Sequence, residues 1–232
     1  MKKRIWNTYM KGLGDFLILW STQSLSQLGS SMTAFALTLW LYEQTGSSLK
    51  TATLTICSYA PYVIMSIFAG ALSDRFDKKK TMLVCDLLAA LSTVTVLMLY
   101  LTDHLAVWQL YAVNAVSGLM NTVQQPASEV ATTLLIPKEQ YQRASGLQSL
   151  SRSLISILNP LFATALYGLA GLELVIALDL GSFAIAFLAL LFLIRIPKAA
   201  EEKQESILKL AKGGIEYLKN TPMILTMILF LS

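Results

Sequence analysis

Apolar residues in this chain are massed in blocks, not spaced like the buried stripe of a surface helix or the alternation of a half-buried strand. A helix needs roughly 18 or more apolar residues to cross the ~30 Å hydrocarbon layer of a bilayer. Six blocks meet that length: residues 16–42, 51–72, 81–101, 106–128, 144–167 and 172–194. Polar, turn-rich stretches at 43–48 and 74–77 separate the early blocks. Tight turns are expected at 101–104 and 168–173. Connections this short place consecutive helices antiparallel. The expected fold is an all-α integral membrane bundle of six transmembrane helices.

Polar residues inside the blocks are uneven. The first block carries Ser24, Gln27, Ser31 and Thr38 at spacings that put them on one helical face. The second places Thr55, Tyr59, Tyr62 and Ser66 likewise. The fourth has Asn114, Ser117, Asn121, Gln125 and Ser128, and the fifth has Ser145, Ser149, Arg152, Ser156 and Asn159. Polar groups facing lipid are costly, so these faces turn toward protein or water. Helix-to-helix hydrogen bonding and small-residue packing account for single Ser and Thr residues. Four stripes several turns long point instead to a water-accessible cavity lined by helices 1, 2, 4 and 5, with helices 3 and 6 outside.

Composition narrows the class further. The 232 residues are 55% hydrophobic and 14% charged, with a mean hydropathy of +0.58. Soluble domains carry about 25% charged residues, so a soluble enzyme or a disordered chain is excluded. Two cysteines and one histidine make neither a disulfide framework nor a metal site, and no cofactor is expected. No phosphate-binding Gly-x-x-x-x-Gly-Lys loop occurs, and no span pairs a nucleophile with a base. Lys2-Lys3-Arg4 looks like the start of a secretory signal, but the following apolar run is too long and lacks a cleavage site.

The net charge of +4 is distributed in short juxtamembrane clusters, which argues against nucleic acid. Sixteen of the eighteen lysines and arginines fall before block 1, between blocks 2 and 3, between 4 and 5, or after block 6. Only Lys50 lies on the other side, and Arg152 lies within a span. The positive side is cytoplasmic, so the N-terminus faces the cytoplasm. The expected organisation is a cytoplasmic N-terminus at 1–15, a six-helix bundle at 16–196, and a cytoplasmic amphipathic linker at 197–221. The linker pattern is Ile207, Ala211, Ile215 and Leu218 at helical spacing. Residues 222–232 read as the start of a seventh helix, so the chain is expected to be the front half of something longer.

Two acidic residues hint at a repeat. Helix 3 opens with Cys85-Asp86-Leu87 and helix 6 with Leu178-Asp179-Leu180. Helix 3 runs outward and helix 6 inward, which fits two three-helix units of inverted topology.

The loop after block 2 reads Gly70-Ala71-Leu72-Ser73-Asp74-Arg75-Phe76-Asp77-Lys78-Lys79-Lys80. It resembles the signature loop of the major facilitator superfamily, Gly-x-Leu-x-Asp-Arg-x-Gly-Arg-Lys, at the family's position. Asp77 stands where most members have Gly. That change is similar to the bacterial branch of drug:proton antiporters that includes the macrolide-efflux proteins. Leu41-Tyr42-Glu43-Gln44-Thr45-Gly46-Ser47, Leu135-Ile136-Pro137-Lys138-Glu139-Gln140 and Asp179-Leu180-Gly181-Ser182-Phe183 resemble the same branch. The resemblance covers about residues 15–232 and implies the N-terminal half of a twelve-helix transporter in a bacterial inner membrane. It departs in two places. Asn159-Pro160-Leu161-Phe162-Ala163-Thr164 keeps only the Pro of the antiporter Gly-Pro-x-x-Gly-Gly motif, and helix 4 has no embedded Arg.

What the resemblance implies is secondary active, proton-driven efflux of amphipathic drugs or antibiotics by alternating access. Gly70, Asp74, Arg75 and Lys79 would form a conformational-switch loop that latches the cytoplasmic side. Gln27, Ser31, Asn114, Asn121, Gln125, Arg152, Asn159 and Asp179 are the candidate cavity or coupling residues. The implied partners are a small amphipathic substrate, protons, the lipid bilayer and a C-terminal six-helix half. A transporter of an endogenous metabolite, peptide or lipid, and a non-transporting receptor on the same scaffold, are the alternatives. An Arg at mid-helix costs ~2.5–3.5 kcal/mol, so Arg152 needs a partner. Asp179, Asp86, Glu129 or an acid outside this chain are the choices. Asp86 and Glu129 are expected near the cytoplasmic interface, paired with Arg75 or the loop lysines.

Overall fold

The computed structural model describes the backbone of residues 2–197 and the side chains of residues 13–65 and 76–197. The linker expected at 197–221, apart from Pro197, and the helix expected from 222 lie outside the described residues, as do the side chains of Gly70, Asp74 and Arg75.

The described chain is helical, with no strand. Helix α1 spans Lys2–Thr45, α2 Ser48–Arg75, α3 Lys78–Leu101 and α4 Val107–Leu135. A single 3-10 turn at Lys138–Gln140 leads into α5, Tyr141–Leu188, which ends in a π-helical turn at Ala189–Leu193. Helix α1 begins at Lys2, well ahead of the span expected from residue 16. Helix α5 is 48 residues long. At 1.5 Å per residue that is about 72 Å, more than twice a hydrocarbon layer. It is divided at Gly171, whose φ of 75° and ψ of −170° are non-helical. A positive φ suits a residue without Cβ. The turn expected over 168–173 is therefore one residue: 168–170 continue the first limb and 172 starts the second.

By length, hydropathy and low charge, two stretches of the described residues qualify as membrane spans, Lys78–Leu101 and Lys138–Leu193. Helices α1 and α4 fall short of the same measure. The reason is their polar residues, which face inward and dilute the mean.

Local chemistry fixes the helix starts. Ser47 caps α2, its Oγ accepting from the Lys50 N–H at 3.4 Å. Asp77 caps α3, its Oδ1 accepting from the Lys80 N–H at 3.0 Å. A side-chain oxygen there satisfies one of the unpaired N–H groups of the first turn. Lys79 does the converse job at the other end of a helix. Its Nζ donates to the carbonyls of Leu191 (3.0 Å) and Ile194 (2.7 Å), where α5 runs out. A cation suits that end, because the terminal carbonyls carry the negative pole of the helix.

Helix α1 packs chiefly along α5, and α2 along α4. Both seams contain a glycine at the closest approach. A Cβ on Gly118 would lie 2.1 Å from the Ser58 carbonyl oxygen. One on Gly29 would lie 2.5 Å from Ser182 Oγ and 3.0 Å from Asp179 Cα. Small residues let helices meet backbone to backbone where hydrophobic burial gives no extra drive.

Two apolar cores result. One gathers Met32, Leu37, Leu41, Leu54, Val96, Leu110, Leu172 and Ile176. The other gathers Phe16, Leu19, Met82, Ala131, Leu135, Leu190 and Ile194. The sequence positions put them at opposite ends of the helices, with the polar residues between. Large apolar side chains cover the outside, including Val63, Ile64, Val84, Leu91, Met98, Ile157, Leu161 and Phe192. Exposed apolar surface on this scale suits a hydrocarbon surround.

Candidate functional site

Between the two cores lies a cavity of about 860 Å³. All eight candidate cavity residues line it: Gln27 and Ser31 from α1, Asn114, Asn121 and Gln125 from α4, and Arg152, Asn159 and Asp179 from α5. Thr55, Tyr59 and Tyr62 of α2 complete the wall on that side. The wall is wider than the four stripes expected. Helix α3 contributes Asp86, Ala89, Ala90 and Thr93, and the second limb of α5 contributes Asp179, Leu180 and Phe183. The expectation that these two helices stand outside is corrected: each turns one narrow face inward, and its carboxylate is on that face. In the first limb of α5 the lining face is Gln148, Ser151, Arg152 and Asn159, not the line through Ser145, Ser149 and Ser156. Ser156 instead donates to the Ser153 carbonyl at 2.8 Å.

Three charged groupings organise the cavity. Arg152 Nη2 lies 3.6 Å from Glu129 Oε1, with the two side chains 60% and 52% exposed. Gln125 Nε2 also donates to Glu129 Oε1 at 3.4 Å, one turn along α4. Of the three expected partners within this chain, the structure places Glu129 beside Arg152.

Asp86 is 7% exposed. Its Oδ2 accepts from Gln23 Nε2 of α1 at 3.2 Å, and its Oδ1 accepts from Gln124 Nε2 of α4. Pairing with Arg75, one of the expected alternatives for Asp86 and Glu129, lies outside the described side chains; the contacts described are to Gln23 and Gln124 for Asp86 and to Arg152 and Gln125 for Glu129.

Asp179 is 3% exposed and accepts from Ser30 Oγ of α1 at 2.9 Å. Gln23 and Ser30 are seven residues apart on α1. That is two turns, about 10 Å along one face, so a single stripe of α1 serves both buried carboxylates. Gln23, Gln124 and Ser30 were not among the expected site residues. The signal available was that each lies one residue from a residue of the stripe that was read.

Neutral polar contacts stitch the rest. Ser24 Oγ donates to Ser151 Oγ at 3.0 Å across α1 and α5, and Ser58 Oγ to Asn114 Oδ1 at 3.0 Å across α2 and α4. Buried polar atoms of the wall without a hydrogen-bond partner among the described residues include Trp20 Nε1 and Asn159 Oδ1, exceptions to the usual satisfaction of buried polar groups. No cluster of His, Cys, Asp and Glu suited to a metal occurs among the described residues.

The family model of the Major Facilitator Superfamily matches residues 19–232. The chain is 30% identical over 191 residues to macrolide efflux protein A of Streptococcus pyogenes, covering 82% of this chain and 46% of that protein. It is 31% identical over 159 residues to the macrolide efflux protein A of Enterococcus faecalis, covering 68% and 48%. It is 27% identical over 221 residues to an uncharacterized MFS-type transporter, YfiS, of Bacillus subtilis, covering 93% and 51%. The chain thus spans about half the length of the curated relatives it matches.

Proposed function

The chain belongs to the major facilitator superfamily, and on that footing we propose that it forms the N-terminal half of a proton-coupled exporter of amphipathic drugs of the macrolide type. The observation that carries this reading is the 860 Å³ cavity with a mixed wall. Its aromatic side chains, Trp20, Phe35, Tyr59, Tyr62 and Phe183, supply apolar contact, and its amides and hydroxyls supply exchangeable hydrogen bonds. That mixture suits a molecule with a large apolar body and scattered polar groups. A half-exposed ion pair leaves charged partners for it. The likeness to macrolide efflux proteins adds the direction and the substrate class.

In this reading six limbs cross a bacterial inner membrane with the N-terminus inside, and a second six-helix half closes the cavity's open face. The loop through Gly70, Asp74 and Arg75 latches the cytoplasmic side. Lys79 serves instead by tying α3 to the end of α5, as its two carbonyl contacts support. The two three-helix units are inverted repeats. In support, Asp86 lies eight residues into α3 from Lys78, and Asp179 eight residues beyond the break at Gly171. Transport follows by alternating access, the cavity opening to one side at a time.

The test is uptake of a radiolabelled macrolide into inside-out membrane vesicles carrying the full-length protein. Uptake should require an acid interior and collapse on adding a protonophore. Gradient-independent equilibration would favour a facilitator, and no uptake of any amphipathic probe would favour a receptor.

A further inference from the structure

We propose that Asp86 binds the coupling proton, and that its charge state decides whether Gln23 and Gln124 hold α1 and α4 to α3. The inference rests on the proton-coupled reading above and names the residue that would carry it.

The geometry is specific. Each carboxylate oxygen of Asp86 is taken by one amide N–H, Oδ2 by Gln23 from α1 and Oδ1 by Gln124 from α4. The ionised carboxylate is an acceptor only, so two donors match it. When a proton from cavity water bonds to one oxygen, that oxygen becomes a hydroxyl donor facing another donor. A glutamine N–H₂ cannot accept, so where the new O–H is directed at it the amide must rotate to present Oε1 or leave. Nothing else is consumed: one proton is gained, one N–H···O contact is lost, and an O–H···O contact replaces it if the amide turns. The same proton therefore alters the tie between α3 and one of its neighbours. Charge-assisted bonds of this kind are roughly twice as strong as neutral ones, so the ionised state is the tighter clamp.

Other ionisable groups face the same space. They are Glu129 from α4, Arg152 and Asp179 from α5, and Tyr59 and Tyr62 from α2. Cys85 precedes Asp86 on α3, and Lys78 lies two turns below it. From α1 the lining residues are uncharged. Glu129 is already matched by a guanidinium. Asp179 accepts a hydroxyl of α1, and hydroxyls rotate freely, so its protonation needs no rearrangement of helices. Asp86 is the group at which a proton and a change of helix contacts are the same event.

The experiment uses the full-length protein in proteoliposomes with a radiolabelled macrolide. Asp86→Asn should lower pH-gradient-driven uptake by about tenfold or more and flatten its dependence on pH. Asp86→Glu should restore gradient-driven uptake. Gradient-driven uptake by Asp86→Asn with the wild-type pH profile overturns the proposal. In parallel, spin labels at Leu17→Cys on α1 and Thr133→Cys on α4, with Cys57 and Cys85 replaced by Ala, report the clamp without any substitution at Asp86. Their separation should change when the buffer is taken from neutral to acid. An unchanged separation overturns the proposal even if Asp86→Asn fails to insert. A wild-type protein indifferent to the pH gradient removes the proton-coupled reading and this proposal with it. A gradient-driven wild type with an indifferent Asp86→Asn removes Asp86 alone.

Discussion

Arg152 of α5 and Glu129 of α4 meet at 3.6 Å, and both side chains stay more than half exposed. A pair this wet is screened and loosely held, and such pairs contribute about 0–1 kcal/mol. It differs from a buried ion pair, where removing one partner costs ~3–5 kcal/mol. Arg152→Ala should therefore lower the melting temperature of the detergent-solubilised full-length protein by no more than about 2–4 °C. Substrate range should shift, because the guanidinium is available to a ligand. A large loss of stability with unchanged substrate range would return Arg152 to a structural role.

The α2–α4 crossing gives a sharper expectation. A Cβ at Gly118 meets the backbone oxygen of Ser58, which cannot rotate away. Gly118→Ala should cost roughly 1–3 kcal/mol through forced separation of the helices. At Gly29 the nearest atom is a serine hydroxyl, which can move, although Asp179 Cα is also close. Gly29→Ala should cost less. Paired melting curves of the two variants decide the order, and a more stable Gly118→Ala would contradict the close crossing.

Asp77 departs from the signature loop at the position where it caps α3. Asp77→Ala should lose about 0.5–2 kcal/mol from the missing cap. Asp77→Asn and Asp77→Ser should recover most of it. If Asp77→Gly transports faster than the parent at similar stability, the cap restrains the loop in addition to starting the helix.

Topology is open to a direct measurement. Single cysteines at Ser47→Cys and Lys79→Cys in a protein lacking Cys57 and Cys85 should label oppositely. An impermeant thiol reagent on intact cells should reach position 47 and not 79. The reverse pattern would invert the bundle.

Much of this was readable from the chain because apolar blocks and polar stripes report burial directly. Gln27 and Ser31 share a face of α1, and Asn114, Asn121 and Gln125 a face of α4, by simple helical arithmetic, and those faces line the cavity. Gln23 and Gln124 escaped because a stripe was drawn as a line, whereas a helix wall is an arc of 100° or more. The Arg152–Glu129 contact joins different helices and depends on their rotation, which no spacing encodes. Helix α3 is harder to read because its inward face carries only Asp86 and Thr93, two turns apart with alanines between, yet that one face suffices. The turn is narrower than 168–173 because glycines at 168 and 171 look alike in sequence, while only Gly171 leaves the helical region.

The glycine contacts at Ser58 and Ser182 lie on different helix pairs, one binding α2 to α4 and the other α1 to α5. Each leaves no slack for the helices to approach further, and any parting there would open a void. Along these two crossings the cavity gains no width from helix movement. Width there comes from exchanging the side chains along its wall. Acquired tolerance of a larger molecule should then appear as truncations at positions such as Tyr59, Tyr62 or Phe183, with the two glycines left untouched.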